Sequence, residues 1–169
     1  MNLARGAIYL LLLVLGLFAC ASKPPKSYLM STEIIANQDI NPDSEGKPSP
    51  VAFMIYQLKG NEPFEAADFD TLFTTDSTPF SDVVIDKKQY QIQPGKRAMI
   101  DLYVSPETNF IGVVAAFREQ NISGTDTWSS IVELTQKKPR KAKRYQTNIV
   151  FTGQEVKVYL VKKGRLSVF

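Results

Sequence analysis

The residue best equipped for covalent chemistry is Cys20, the only cysteine among 169 residues. Its thiol has no partner for a disulfide within the chain, so what precedes it decides its use. Arg5 is followed by a charge-free stretch over residues 6–22, almost wholly aliphatic from Ile8 to Phe18 and closing on Leu17-Phe18-Ala19-Cys20. A basic start, a short apolar core and small residues at the end describe an export signal. A membrane-spanning helix takes roughly 20 apolar residues; this run falls short and has no basic stop behind it.

The Leu-x-Ala-Cys ending resembles the lipobox of bacterial lipoproteins. The resemblance implies that the Cys20 thiol receives a diacylglyceryl group, that the signal over residues 1–19 is cut before it, and that the new amino group is acylated. The alternative is a buried cysteine behind a plain secretory signal. Each buried methylene contributes about 0.8 kcal/mol and two chains already anchor a protein stably, so three fatty chains, palmitate among them, hold it firmly. Where the residue after the cysteine sorts lipoproteins, Asp retains them in the inner membrane. Ala21 therefore points to the outer membrane, on its periplasmic face.

The remaining inventory of reactive groups is thin. With no histidine in the chain, the commonest general base, proton shuttle and metal ligand are missing together. Asn41-x-Asp43-x-Glu45-Gly46 opens like a calcium loop, but the twelfth position, which needs a bidentate acid, is Ala52. A catalytic carboxylate pair is a further option, yet the acids are scattered and form no recognisable constellation. We therefore expect no enzyme, no metal and no cofactor beyond the lipid on Cys20. Residues 137–144 hold six cations in eight positions; they read as a solvated loop or as a contact for anionic headgroups or an acidic partner. They lack the interleaved aromatics that stack on nucleic acid. Asn121-Ile122-Ser123 matches a glycosylation sequon without meaning in such a context, and Trp128 reads as packing or as a ligand platform.

The elements that must position these groups follow from periodicity. Loss of residues 1–19 leaves 150 residues with 19 basic and 17 acidic side chains, enough for one packed domain and too balanced for a polyanionic partner. Residues 20–27, with Pro24-Pro25, form an extended tether; residues 28–169 form the domain. Tyr28 to Asn37 alternates, with Met30, Thr32, Ile34 and Ala36 on one side. Asn41 to Pro50 carries three prolines and a glycine and excludes a regular element. Val51 to Lys59 is apolar on both faces, as in a central strand. From about residue 63 to 85 the period turns helical, with Phe69, Leu72 and Phe73 at i, i+3 and i+4, and Thr78-Pro79 suited to open a second helix. Strand character returns after Pro94-Gly95, over Ala98 to Val104, Phe110 to Phe117 and Trp128 to Leu134. The last two strands, Asn148 to Thr152 and Val156 to Lys163, flank Gly153-Gln154. About seven strands with one helical insertion make an all-β two-sheet sandwich. A pocket between the sheets, lined by Val51–Lys59 and Phe110–Phe117, would instead suit a small-ligand carrier.

Several segments together resemble one family. They are Ile40-Asn41-Pro42-Asp43, Gly46-Lys47-Pro48-Ser49-Pro50-Val51, Ile55-Tyr56-Gln57-Leu58-Lys59, Phe64-x-x-Ala67-Asp68-Phe69-x-x-Leu72, Pro94-Gly95 and Ile111-Gly112-Val113-Val114-Ala115-Ala116-Phe117-Arg118. Their order and spacing are similar to the TssJ outer-membrane lipoproteins of the bacterial type VI secretion system. Trp128 falls where members carry Trp-Arg, with Ser129 in place of the Arg. The resemblance implies a transthyretin-like sandwich with a helical insertion and a protruding loop between the first two strands. It also implies the partners: that loop docks on the periplasmic C-terminal domain of TssM, in a complex that also contains TssL, and nucleic acid is not among them.

On this reading the binding residues are Asn41, Pro42, Asp43, Ser44, Glu45, Gly46, Lys47 and Pro48. The prolines restrict the loop beforehand and lower the entropy lost on docking; Gly46 permits a tight turn. Asp43, Glu45 and Lys47 offer charges of both signs for orientation. Asp43→Ala with Lys47→Ala is then expected to weaken binding with little change in thermal stability.

Overall fold

The structure is a computed structural model, which describes residues 26–73, 81–118, 127–134 and 145–162. The export signal, Cys20, most of the tether, the sequon, Thr78-Pro79 and the basic run 137–144 lie outside the described residues. The chain forms β1 (Tyr28–Ala36), β2 (Val51–Leu58), the helices α1 (Glu62–Ala66) and α2 (Phe69–Phe73), and then β3 (Val84–Ile92) and β4 (Arg97–Val104). It ends with β5 (Phe110–Ala116), β6 (Ser129–Glu133), β7 (Tyr145–Thr152) and β8 (Glu155–Lys162). These strands make two four-stranded sheets, β4-β1-β7-β8 and β3-β2-β5-β6. The expected all-β sandwich with a small helical insertion is the observed fold.

Strand alternation decides which side chains meet between the sheets. Met30, Ile34 and Ala36 of β1 face inward with Leu102 and Val104 of β4 and Ile149 and Phe151 of β7. Against them stand Val51, Phe53 and Ile55 of β2 and Ile111, Val113 and Ala115 of β5. The rings of Phe53 and Phe151 cross the gap at 4.9 Å between centroids. Pairing is antiparallel throughout except for β1 with β7, which run parallel with Thr32 opposite Thr147. Two side chains also join the sheets. Gln57 is buried; its Nε2 donates to the Tyr103 carbonyl at 3.1 Å, and its Oε1 accepts Ser105 N–H at 3.0 Å and the Thr108 hydroxyl at 2.9 Å. The Ser130 hydroxyl of β6 accepts Val158 N–H of β8 at 3.1 Å.

A second core explains why β2 is apolar on both faces. Tyr56 and Leu58 pack outward with Phe64 of α1, Leu72 of α2 and Val114 of β5. Pro63 stands in the first turn of α1 and Asp68 caps α2, its Oδ1 accepting Thr71 N–H at 2.7 Å. The Phe64 ring lies where a Cβ on Gly112 would come within 2.8 Å, so only glycine lets the helix sit this close. The Tyr56 hydroxyl donates to the Leu72 carbonyl, and burial pushes its pKa up to about 12. Trp128 packs against both cores and edge-on against Phe69 at 5.6 Å.

The insertion is shorter than the sequence suggests. Val84 and Ile85, placed at the end of a helical segment about 63–85, already belong to β3, which pairs with β2 from Leu58↔Val84 to Val51↔Ile92. This strand escaped notice because it is an edge, with Lys87, Lys88, Gln89 and Gln91 in place of the apolar alternation a central strand requires.

Candidate functional site

The loop joining β1 to β2 is built from its base outward. Ile40 is fully buried and sets the entry in the core. Asn41 follows, also buried, with a left-handed φ of 49° that asparagine tolerates better than most residues. Its backbone N–H donates to the Gly153 carbonyl at 2.7 Å in the β7–β8 turn. Its Nδ2 donates to the Pro50 carbonyl at 2.7 Å, and its Oδ1 accepts Arg118 N–H at 2.7 Å. The Ser49 hydroxyl closes the mouth by donating to the Asn41 carbonyl at 2.6 Å.

The tip is held by Asp43. One carboxylate oxygen accepts both Glu45 N–H at 3.0 Å and Lys47 N–H at 2.9 Å. The backbone adds Asp43 N–H to the Lys47 carbonyl at 3.0 Å and Gly46 N–H to the Asp43 carbonyl at 2.8 Å. Gly46 supplies the positive φ of 78° that this tight turn requires. The Lys47 amide above all, then the Glu45 amide and the Arg118 guanidinium 4.0 Å from the other oxygen, hold the Asp43 pKa below the usual carboxylate value. Ser44, Glu45, Gly46, Lys47 and Pro48 face solvent, whereas Pro42 and Asp43 are half-buried.

The eight residues singled out in the sequence thus divide. Ser44 to Pro48 form an exposed, shaped tip; Asn41 and Asp43 are the frame that shapes it. Asp43→Ala with Lys47→Ala consequently mixes loss of a frame with loss of a surface charge. Sequence reasoning missed Ser49, Gly153 and Arg118 as braces: Gly153 and the Arg118 amide act through main-chain groups that no residue type announces, and the Ser49 hydroxyl reaches back eight positions to the Asn41 carbonyl. Asn41 and Asp43 also commit their side-chain oxygens to the loop's own amides and to Arg118, which leaves them poorly placed as cation ligands. Among the described residues no cluster of three or more acids, cysteines or histidines could hold a metal.

Residues 29–158 match the family model described as Type VI secretion lipoprotein, VasD, EvfM, TssJ. The chain belongs to this family. The fold agrees. A chain of a solved structure described as a type VI membrane complex shares 28% identity, with a TM-score of 0.67 over 78% of this chain and 97% of that one. A chain in a structure described as the T6SS protein TssM C-terminal domain from EAEC shares 28% identity, with a TM-score of 0.65 over 77% and 99%. The T6SS lipoprotein TssJ1 from Pseudomonas aeruginosa has the same fold at 20% identity, with a TM-score of 0.68 over 83% and 98%. No curated protein matches the sequence. Among the described residues of this type VI secretion lipoprotein, no helix is long and apolar enough to cross a membrane.

Proposed function

We propose that the protein is a non-enzymatic mooring subunit of the type VI membrane complex. Acyl chains on Cys20 fix it to the periplasmic face of the outer membrane, the tether of residues 20–27 spaces the sandwich from the lipid, and the β1–β2 loop grips the periplasmic C-terminal domain of TssM, in a complex that includes TssL. The observation that carries this reading is the braced loop with its exposed tip, in a member of a secretion lipoprotein family. A loop whose shape is set before docking loses little entropy on docking, and Glu45 and Lys47 give opposite charges at fixed positions for selectivity. Similarity to a chain in a TssM C-terminal-domain structure supports the choice of partner.

The carrier reading loses its support, because Val51, Phe53, Ile55, Ile111, Val113 and Ala115 pack against one another and the opposite sheet. A groove of about 430 Å³ lies instead on the outer face of β4-β1-β7-β8. Its carboxylates are tied to cations, Glu33 to Arg97 at 3.3 Å and Glu155 to Lys157 at 2.7 Å, which is not the free acid and base pair a glycosidase needs.

The test is titration of the purified mature protein against the TssM periplasmic domain. Glu45→Ala with Lys47→Ala is expected to weaken affinity about tenfold or more with an unchanged melting temperature. Unchanged affinity would overturn the loop as the contact. Cys20→Ser is expected to move the protein from the membrane to the soluble fraction.

A further inference from the structure

We propose that the sandwich rests on the lipid surface, with Leu29 of β1 and Tyr103 of β4 as the contact. This rests on the lipid anchor at Cys20 proposed above. The two residues stand directly opposite each other in the β1–β4 ladder, on the sheet face turned away from the core. Leu29 is 58% exposed and Tyr103 62%. An isolated exposed apolar side chain needs no explanation; a cross-strand pair beside an anchor does.

Chain length places the bilayer within reach. Five residues separate Cys20 from Lys26, the first described residue, and the six steps between them span at most about 21 Å when extended. Lys26 precedes Leu29 by three positions, so the acylated sulfur is confined near this end of the domain. The β1–β2 loop leaves from the other end of β1, about 27 Å further on. The anchor end can therefore meet lipid while the loop stays free.

The chemistry of the pair suits the headgroup region. Leu29 offers an aliphatic group for the acyl boundary, and tyrosine presents an apolar ring with a polar tip. Their backbone is firm: both lie within a regular ladder, and the Tyr103 carbonyl is held by Gln57. Exposed charge of both signs stands at this end, Asp101 and Glu107 beside the lysines, so the apolar pair and not net charge makes the contact. Lys26 is exposed here. Lys162 is exposed too and pairs in register with Tyr145 at the start of β7, which runs parallel to β1.

The test uses the lipidated protein in vesicles of phosphatidylethanolamine and phosphatidylglycerol. Because Cys20 is blocked by its lipid, single cysteines introduced by Tyr103→Cys or Glu45→Cys accept an NBD probe selectively. Flotation with the vesicles reports the anchor, and quenching by headgroup-nitroxide lipid reports proximity. The expected result is quenching at position 103 at least twofold stronger than at 45, lost when Leu29→Asp is added. Equal quenching at both positions in floating protein overturns the contact and leaves the anchor intact. Quenching that survives Leu29→Asp, or shielding of the probe only after the TssM domain is added, also overturns it. Protein that fails to float overturns the anchor together with the contact.

Discussion

The carboxamide oxygen of Asn41 accepts the backbone N–H of Arg118 at 2.7 Å, across 77 positions of sequence. One buried side chain thereby fixes the base of the β1–β2 loop to the exit of β5, while its amide nitrogen holds Pro50 on the other side of the mouth. The loop is a rigid projection of the sandwich because its first residue bonds in both directions.

Asn41→Ala removes both bonds and leaves the Arg118 N–H and Pro50 carbonyl without partners, at a left-handed backbone angle that alanine resists. Both bonds are only part-buried, so water can reach the freed groups. Each lost bond costs about 0.5–1.5 kcal/mol and the backbone angle adds to it, so denaturant unfolding is expected to show a loss of about 1–3 kcal/mol. Asn41→Asp keeps the acceptor for Arg118 and sets an oxygen against the Pro50 carbonyl. It should also destabilise; wild-type stability in either variant would count against this bracing.

Acid should release the tip before it unfolds the domain. The folded pKa of Asp43 is depressed by the amides it accepts. Its contribution is therefore present above the unfolded value and lost as pH falls through the lower folded value, below about pH 4. Amide exchange measured by NMR is expected to keep Glu45 and Lys47 N–H protected at pH 5 and to expose them in the acid range. Asp43→Ala, which removes the acceptor, should expose them at every pH, whereas Asp43→Asn keeps an accepting oxygen and should lose the pH dependence.

Alkali acts on the second core. Tyr56 ionises at about 12 in the folded protein against 10.0 ordinarily, because burial disfavours the phenolate. The unfolded chain releases that proton first, so stability is whole below pH 10 and falls as pH rises toward 12. Tyr56→Phe should cost about 1–2 kcal/mol at neutral pH, since the Leu72 carbonyl loses its donor. The same variant should show a shallower decline in unfolding free energy between pH 10 and 12.

Gly112→Ala drives a methyl group into the Phe64 ring at 2.8 Å. Overpacking of this kind costs about 1–3 kcal/mol. Phe64→Leu alone opens a void, yet combined with Gly112→Ala it should recover part of the loss. A thermodynamic cycle on the four proteins would show coupling; strict additivity would mean that α1 simply moves aside.

Much of the fold was legible because burial imposes a period. Met30, Thr32, Ile34 and Ala36 alternate inward as their spacing demands, and Phe69, Leu72 and Phe73 mark a helix because only a helix brings them to one side. The Gly153-Gln154 hairpin announces itself by its turn residues. β3 was not legible, since an edge strand shielding itself with lysines has no reason to alternate. The parallel match of β1 with β7 was equally hidden, because no local residue encodes which distant strand becomes a neighbour.

The loop was legible as a loop and, through its proline and glycine spacing, as a constrained one. Its internal division was not. Asn41 and Asp43 are polar residues in a polar stretch, and composition suggests that they face a partner. Only their acceptor geometry toward Arg118, Glu45 and Lys47 shows that they are spent on shape. A side chain's partner in space is the one property a list of residues lacks.

The parallel neighbour of β1 carries a consequence for biogenesis. Met30 and Thr147 touch across 117 positions, so on the export route proposed above the first strand to emerge from a translocation channel waits for nearly the last before its sheet can close. Closing so large a loop comes late and slowly. A polypeptide wired in this order stays pliable while it is being threaded and locks only once almost all of it has crossed.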